Sequence, residues 1–335
     1  ILLVNLMFLG ESVFSLVRDR LSWAMVSLAA IVLLSNLRSP GQFLLIFRVA
    51  ILASSLVVLA EFFSGFSLPV ELTTVKGRAA GLFENPNNAA FFIAFALPIV
   101  TIGLRPLYRA LWYGLAMTCV FLTFSRGGAA LCGLAILLVE AFPLQRGGVT
   151  SLRRLFLCIV LVMIAVALYG LITTFTITKF GSSLDANTLS RARLEENASS
   201  SARLQLLRLA WEGFSSSPIW GHGVGAGHRW QALESAHNMF GLLALENGVI
   251  GLVWLGGFFF ALWSIPRPFG IWATALYSVA SLFSHNLIDG PTYGLILATY
   301  AALPSIFTAP QGHRLAVRSR TLALRQWRRP ATRNP

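Results

Sequence analysis

Apolar runs of about 20 residues recur along nearly the whole chain, and no other feature narrows the fold so far. A helix needs roughly that many apolar residues to cross the ~30 Å hydrocarbon core of a bilayer. Ten runs stand out: 1–17, 21–35, 43–63, 88–104, 107–123, 127–142, 155–175, 238–263, 269–287 and 292–308. Mean hydropathy is +0.71 and only 12% of residues are charged, against about 25% in a soluble domain. The expected fold is therefore all-α, a polytopic transmembrane helical bundle. Position 1 is an isoleucine inside an apolar run, so a start methionine and one or two further helices are expected ahead of it.

The net charge of +13 invites a nucleic-acid reading, but the placement of the charges argues against one. Only two of the 26 basic residues are lysines, and many arginines sit in short loops between apolar runs. The tail 309–335 carries Arg314, Arg318, Arg320, Arg325, Arg328, Arg329 and Arg333 with no acid. Such tails report topology or headgroup contact rather than base reading. The loops Arg105–Arg109, Arg146–Arg154 and Ser264–Pro268 alternate with the other loops, and the positive-inside rule makes them, with the tail, cytoplasmic. The opposite set is then extracytoplasmic: 64–87, the Ser125–Arg126 turn, 176–237 and His285–Asp289. Nearly every acid falls on that side, Glu140 excepted. The chain divides into N-terminal membrane helices (1–175), an extracytoplasmic loop (176–237), C-terminal membrane helices (238–308) and a basic cytoplasmic tail (309–335).

The loop 176–237 is too long for a connector and too polar to span. Within it, Ser200 and Ser201 precede Ala202 to Phe214, whose apolar residues recur at helical spacing. That pattern predicts an amphipathic helix lying on the membrane face. A glycine-alternating stretch, Gly221, Gly223, Gly225 and Gly227, follows before the next membrane helix.

Four extracytoplasmic features can carry chemistry, and each has a plainer reading. Arg78 precedes Gly81 and the Asn85-Pro86-Asn87-Asn88 run; the asparagines can simply cap the next helix, and Arg78 can simply meet headgroups. Arg126 sits in the Thr123–Gly128 turn between two membrane helices, where an arginine is paired, faces a wet cavity, or snorkels to the interface. Arg203 and Arg208 lie on the amphipathic helix, a position equally suited to binding anionic lipid. His237 and Asn238 open a membrane helix that continues through Glu246, Gly248 and Gly251. There Asn238 can be a cap, and the glycines can serve close helix packing. At 100° per residue His237 and Glu246 lie about 180° apart, so Glu246 is not expected to orient His237 directly; an arginine from another segment is its alternative partner. His285, Asn286 and Asp289 form a secondary candidate group.

Absences constrain the chemistry further. The outer loops hold no paired-carboxylate motif, no histidine cluster with metal spacing and no Gly-x-Ser-x-Gly nucleophile. Cys119, Cys132 and Cys158 fall inside apolar runs, where a small hydrophobe is the default reading. No metal and no cofactor are expected. The alternating glycines lack the strand–turn–helix setting of a phosphate loop, although their N–H groups are of the kind that holds phosphate.

Four blocks come in order: Arg78…Gly81…Asn85-Pro86-Asn87; Phe124-Ser125-Arg126-Gly127; Ser201-Ala202-Arg203 with Pro218…Gly221-x-Gly223-x-Gly225; and Ala236-His237-Asn238 with Glu246-x-Gly248-x-x-Gly251. Together they resemble the O-antigen ligase/polymerase family of bacterial envelope glycan enzymes, over roughly 75–260. The resemblance implies functional roles for Arg126, Arg203 and His237. It also implies an undecaprenyl-diphosphate-linked glycan donor, a lipid A-core or glycan acceptor, and an inner-membrane location with the site facing the periplasm.

That chemistry suits the residues. A departing diphosphate needs electrostatic stabilisation, and with no carboxylate pair to hold a cation, arginines can supply it bidentately. The expectation is that Arg126 and Arg203 clamp the diphosphate while His237 accepts the acceptor proton, with inversion at C1 and no metal. Arg78, Arg208, Asn238 and Glu246 are the expected substrate-side residues. In a milder version His237 only hydrogen-bonds the diphosphate. Ligase and O-antigen or exopolysaccharide polymerase activities share this donor. A transporter is the rival of another class; it predicts ionisable residues at mid-membrane, whereas here the ionisable residues cluster at the outer ends, and Arg48 and Glu61, within a segment, each lie near an end.

Overall fold

The computed structural model describes residues 11–36, 39–64, 78–83, 85–144, 198–226, 238–284, 287 and 290–308. Among these residues the structure is all helical, with no strand. The helices are α1 (Glu11–Ser35), α2 (Pro40–Ser64), α3 (Pro86–Val100), α4 (Pro106–Leu122), α5 (Arg126–Ala141), α6 (Ala198–Ser216), α7 (Met239–Trp263), α8 (Phe269–Ala280) and α9 (Pro291–Thr308). The expected run 155–175 lies outside the described residues.

The segment count expected from hydropathy needs correction in two places. The runs 1–17 and 21–35 do not part at Arg18-Asp19-Arg20, because α1 passes through these residues unbroken. No proline or glycine stands there to stop it. Several runs also give helices shorter than their apolar stretch. Only two described helices, Gly41–Ser64 and Met239–Trp263, are long and apolar enough to cross a membrane. α3 has 15 residues and α8 has 12, about 22 and 18 Å at 1.5 Å per residue. Asn85 caps α3 at one end and Thr101 at the other; α8 gives way to turns at Ser281. Caps and turns end a helix where the backbone can be satisfied otherwise, whatever the hydropathy beyond.

α3 is the centre of the bundle and packs against α2, α4, α5, α8 and α9. Phe95 is fully buried against Tyr277 and Tyr293, with ring centroids 4.6 and 5.9 Å away. Tyr300 Oη donates to the Phe95 carbonyl at 2.8 Å, and Trp272 Nε1 to that of Leu138 at 3.1 Å. Aromatic bodies thus fill the core while the polar tips of Tyr300 and Trp272 meet backbone acceptors.

The two ionisable residues inside α2 have structural work. Arg48 Nε donates to Val100 O at 2.9 Å and its Nη2 to Ile102 O, satisfying carbonyls where α3 runs out and placing a cation at the negative end of its dipole. Glu61 Oε2 accepts the N–H groups of Ala80 (2.8 Å) and Gly81. Both ends of α2 are therefore stapled to neighbouring chain. The polar groups separate accordingly: Glu61, Arg78, Asn85–Asn88 and Ser125 gather at one end of the bundle. Arg48, Arg109 and Glu140 lie at the other, where Glu140 Oε1 takes Arg109 (3.1 Å) and Tyr113 Oη (2.7 Å).

Candidate functional site

The α4–α5 turn is bonded from three sides. Ser125 is the N-cap of α5, its hydroxyl accepting Gly128 N–H at 3.1 Å. Thr123 Oγ1 donates to Val120 O (2.6 Å) and accepts from Ser125 N (3.2 Å). Arg78, 5% exposed, donates from Nε to Thr123 O at 2.7 Å and from Nη2 to Asn87 Oδ1 at 3.0 Å. The headgroup reading of Arg78 fails on this burial. Phe124 sits at φ +50° with its side chain buried, a conformation a bulky residue holds only when its surroundings over-determine it. Close packing completes the seat. A Cβ at Gly128 would overlap Ala90 Cβ, and one at Gly127 would come within 3.1 Å of Phe283 and 3.3 Å of Phe91. Arg126, the first residue of α5, is exposed above this turn.

The asparagines divide their labour. Asn85 caps α3 by accepting Asn87 N–H at 2.9 Å, Asn87 receives Arg78, and Asn88 Oδ1 accepts Tyr293 Oη at 3.1 Å. The capping reading thus holds for Asn85, while the other two tie the α3 start to neighbouring elements.

Asn238 caps α7, its Oδ1 accepting Gly241 N–H at 3.0 Å, and Nδ2 reaches Leu282 O at 3.4 Å. Met239 N–H bonds Ser281 O at 2.9 Å, so the α7 start is fixed to the end of α8. His237, one residue earlier, lies outside the described residues, as do His285, Asn286 and Asp289. Arg203 lies in α6, but its side chain is also outside the description. Arg208 is exposed on α6.

Glu246 is 1% exposed, and its Oε1 accepts Gly225 N–H at 2.7 Å. Two residues on, α7 breaks: Gly248 has φ 60° and ψ −149°, a region essentially confined to glycine. The glycine-alternating stretch docks onto this break. His222 N–H bonds Leu245 O (2.9 Å), Gly223 N–H bonds Glu246 O (2.8 Å), and Val249 N–H bonds Pro218 O (2.8 Å). A phosphate-holding role does not fit the described amides, because those of Gly221, His222, Gly223, Gly225 and Ala226 have protein acceptors; Gly227 lies outside the described residues. Sequence reading missed His222 as a participant. The usable signal was glycine alternation beside a Glu-x-Gly within a membrane helix.

Among the described residues no group of three or more His, Cys, Asp or Glu could hold a metal ion. The described cations of the candidate site are Arg78, buried behind the α5 start, Arg126, exposed on it, and Arg208 on α6.

A family model described as O-antigen ligase matches residues 110–256, a stretch holding Arg126, Arg203, Arg208, His237, Asn238 and Glu246. No curated protein matches the chain. Members of that family are bacterial inner-membrane proteins acting on lipid-linked glycans and acceptors, and the apolar helices agree with such a location. Over residues 110–256, the chain is similar to the O-antigen ligase family.

Proposed function

We propose that the chain transfers a glycan from an undecaprenyl-diphosphate carrier to a lipid A-core acceptor at the periplasmic face, with inversion and without a metal. The observation that carries this reading is the seat of Arg126. A cation is held exposed at the first turn of α5, over a strained backbone that buried Arg78, Ser125 and two packed glycines keep in place. Backbone strain stored beneath an exposed charged group is characteristic of functional sites, and a helix N-terminus adds a favourable field for an anion.

In this mechanism the acceptor hydroxyl oxygen attacks C1 of the donor sugar as the C1–O bond to the diphosphate breaks. The carrier diphosphate leaves with the electron pair, and Arg126 and Arg203 stabilise its charge. His237 takes the acceptor proton. Arg78 adds positive charge from behind the turn, and Asn238 fixes the start of the helix that follows His237.

The test is transfer by the full chain in lipid nanodiscs, supplied with undecaprenyl-diphosphate glycan and either lipid A-core or a second donor molecule. Arg126→Ala should lower the rate by about 10²–10³-fold, and His237→Gln should abolish the rising limb of the pH profile. A chelator should have no effect. Transfer only to the second donor makes the protein a polymerase. Absence of transfer to either, with intact donor and folded protein, overturns the reading; solute uptake that survives His237→Ala would then favour transport.

A further inference from the structure

Helix α6 packs against α7, with Leu206, Leu209 and Phe214 half-buried. Ala210, Ala226 and Leu245 form a small buried cluster of their own, whereas Leu204, Leu207 and Trp211 are exposed. Beside this packing, hydrogen bonds tie the segment that follows this 19-residue helix to α7. In an unbroken helix Val249 N–H would bond Leu245 O. At the Gly248 break Val249 N–H bonds Pro218 O instead, and Leu245 O accepts His222 N–H. The helix thus exchanges its own bonding for bonding to the segment that follows α6.

The approach is backbone against backbone on both sides. A Cβ on Gly221 would lie 2.5 Å from Glu246 O and from Asn247 N; one on Gly248 would lie 2.5 Å from Ile219 O and 2.6 Å from Pro218 O. Two side chains lock the junction. Glu246 Oε1 holds Gly225 N–H at 2.7 Å. His222 Nε2 lies 2.8 Å from Gly213 O and 2.9 Å from Ser216 Oγ. A carbonyl can only accept, so Nε2 carries the proton and the ring ties down the last turn of α6. His222 therefore grips α6 with its ring and α7 with its backbone N–H.

We infer that the 217–226 segment and the Gly248 break form a clasp that sets the pose of α6, and so of the arginines it carries, against the start of α7. His222 and Glu246 are its positioning residues. The clasp rests on the proposed transfer function only for its catalytic consequence; its geometric content stands apart.

The experiment therefore has two arms on the full chain in nanodiscs. Spin labels at Leu204 and Val253, both exposed, should give one narrow distance distribution. Glu246→Ala and His222→Ala should broaden it, while Glu246→Gln, whose side-chain oxygen still accepts the Gly225 N–H, should leave it narrow. In the transfer assay Glu246→Ala should raise the donor KM about tenfold or more with acceptor KM unchanged, and Glu246→Gln should restore it. Equal damage from Gln and Ala would make the carboxylate charge itself the functional element and overturn the positioning role. An unchanged distribution in both alanine variants would overturn the clasp whatever the activity. If Glu246→Ala does not fold, His222→Ala decides alone. Narrow distributions with no transfer in the parent protein would sink the proposed function and leave the clasp standing.

Discussion

The Ser125–Gly128 turn and the Gly221–Gly248 clasp both use paired glycines beside a helix discontinuity, but they oppose different things. At the turn, glycine makes room for side chains: Ala90, Phe91 and Phe283 stand where a Cβ would go. At the clasp, glycine makes room for backbone, and Gly248 also needs a conformation closed to other residues. Side chains can shift by tenths of an ångström; hydrogen-bonded backbone cannot without losing its bonds. The turn is a packed seat and the clasp a bonded joint.

The largest effect that should sharpen this contrast is Gly248→Ala. Strain in a glycine-only region together with backbone overlap should cost about 3 kcal/mol or more, read as lost thermal stability in detergent. A loss under about 1 kcal/mol would mean the break is tolerant and the joint loose. Next comes Gly128→Ala, expected to cost about 2 kcal/mol by overpacking against Ala90. Ala90→Gly should recover much of that loss in the double variant, since the clash is between two Cβ atoms. No rescue there would erase the distinction between seat and joint.

Glu246→Ala should cost about 1–3 kcal/mol, because the buried Gly225 N–H loses its acceptor, with Glu246→Gln closer to the parent. Smallest, and opposite in sign, is Gly256→Ala. A Cβ there meets nothing within 4 Å, so helix propensity alone should stabilise by roughly 0.5–1 kcal/mol. Destabilisation at Gly256 would show that glycine in α7 serves something other than contact.

The charged residues of α2 bear on the rival class of function. Arg48 and Glu61 are ionisable groups within a long apolar helix, where such groups are functional candidates by default. Here Arg48 completes the end of α3 and Glu61 holds Ala80 and Gly81. Their placement is accounted for by backbone bonding, as a bundle scaffold requires, without a solute pathway.

Much of the local structure was legible because capping is local. Asn85, Ser125 and Asn238 each stand just before an apolar run and each caps the helix that begins next; side chain and recipient N–H are two or three residues apart. A helix over 202–214 was likewise legible from spacing, and Ala198–Ser216 encloses the expected stretch. Helix lengths were not, since hydropathy continues past the caps and turns that end α3 and α8. Arg78 was only half legible. Its charge stood out, but its burial depends on Thr123, 45 residues away.

The sequence by itself determined that this chain builds apolar helices, where several of them start, and that its cations cluster at a few junctions, because all of these follow from neighbouring residues. Tertiary structure alone decided which cations are spent on scaffold and which stay exposed. It made Arg78 a support for the turn that presents Arg126, and Glu246 the acceptor for a glycine 21 residues earlier. A buried charge takes whatever donor or acceptor the fold brings within about 3 Å, and that partner is set by packing between helices rather than by sequence neighbours.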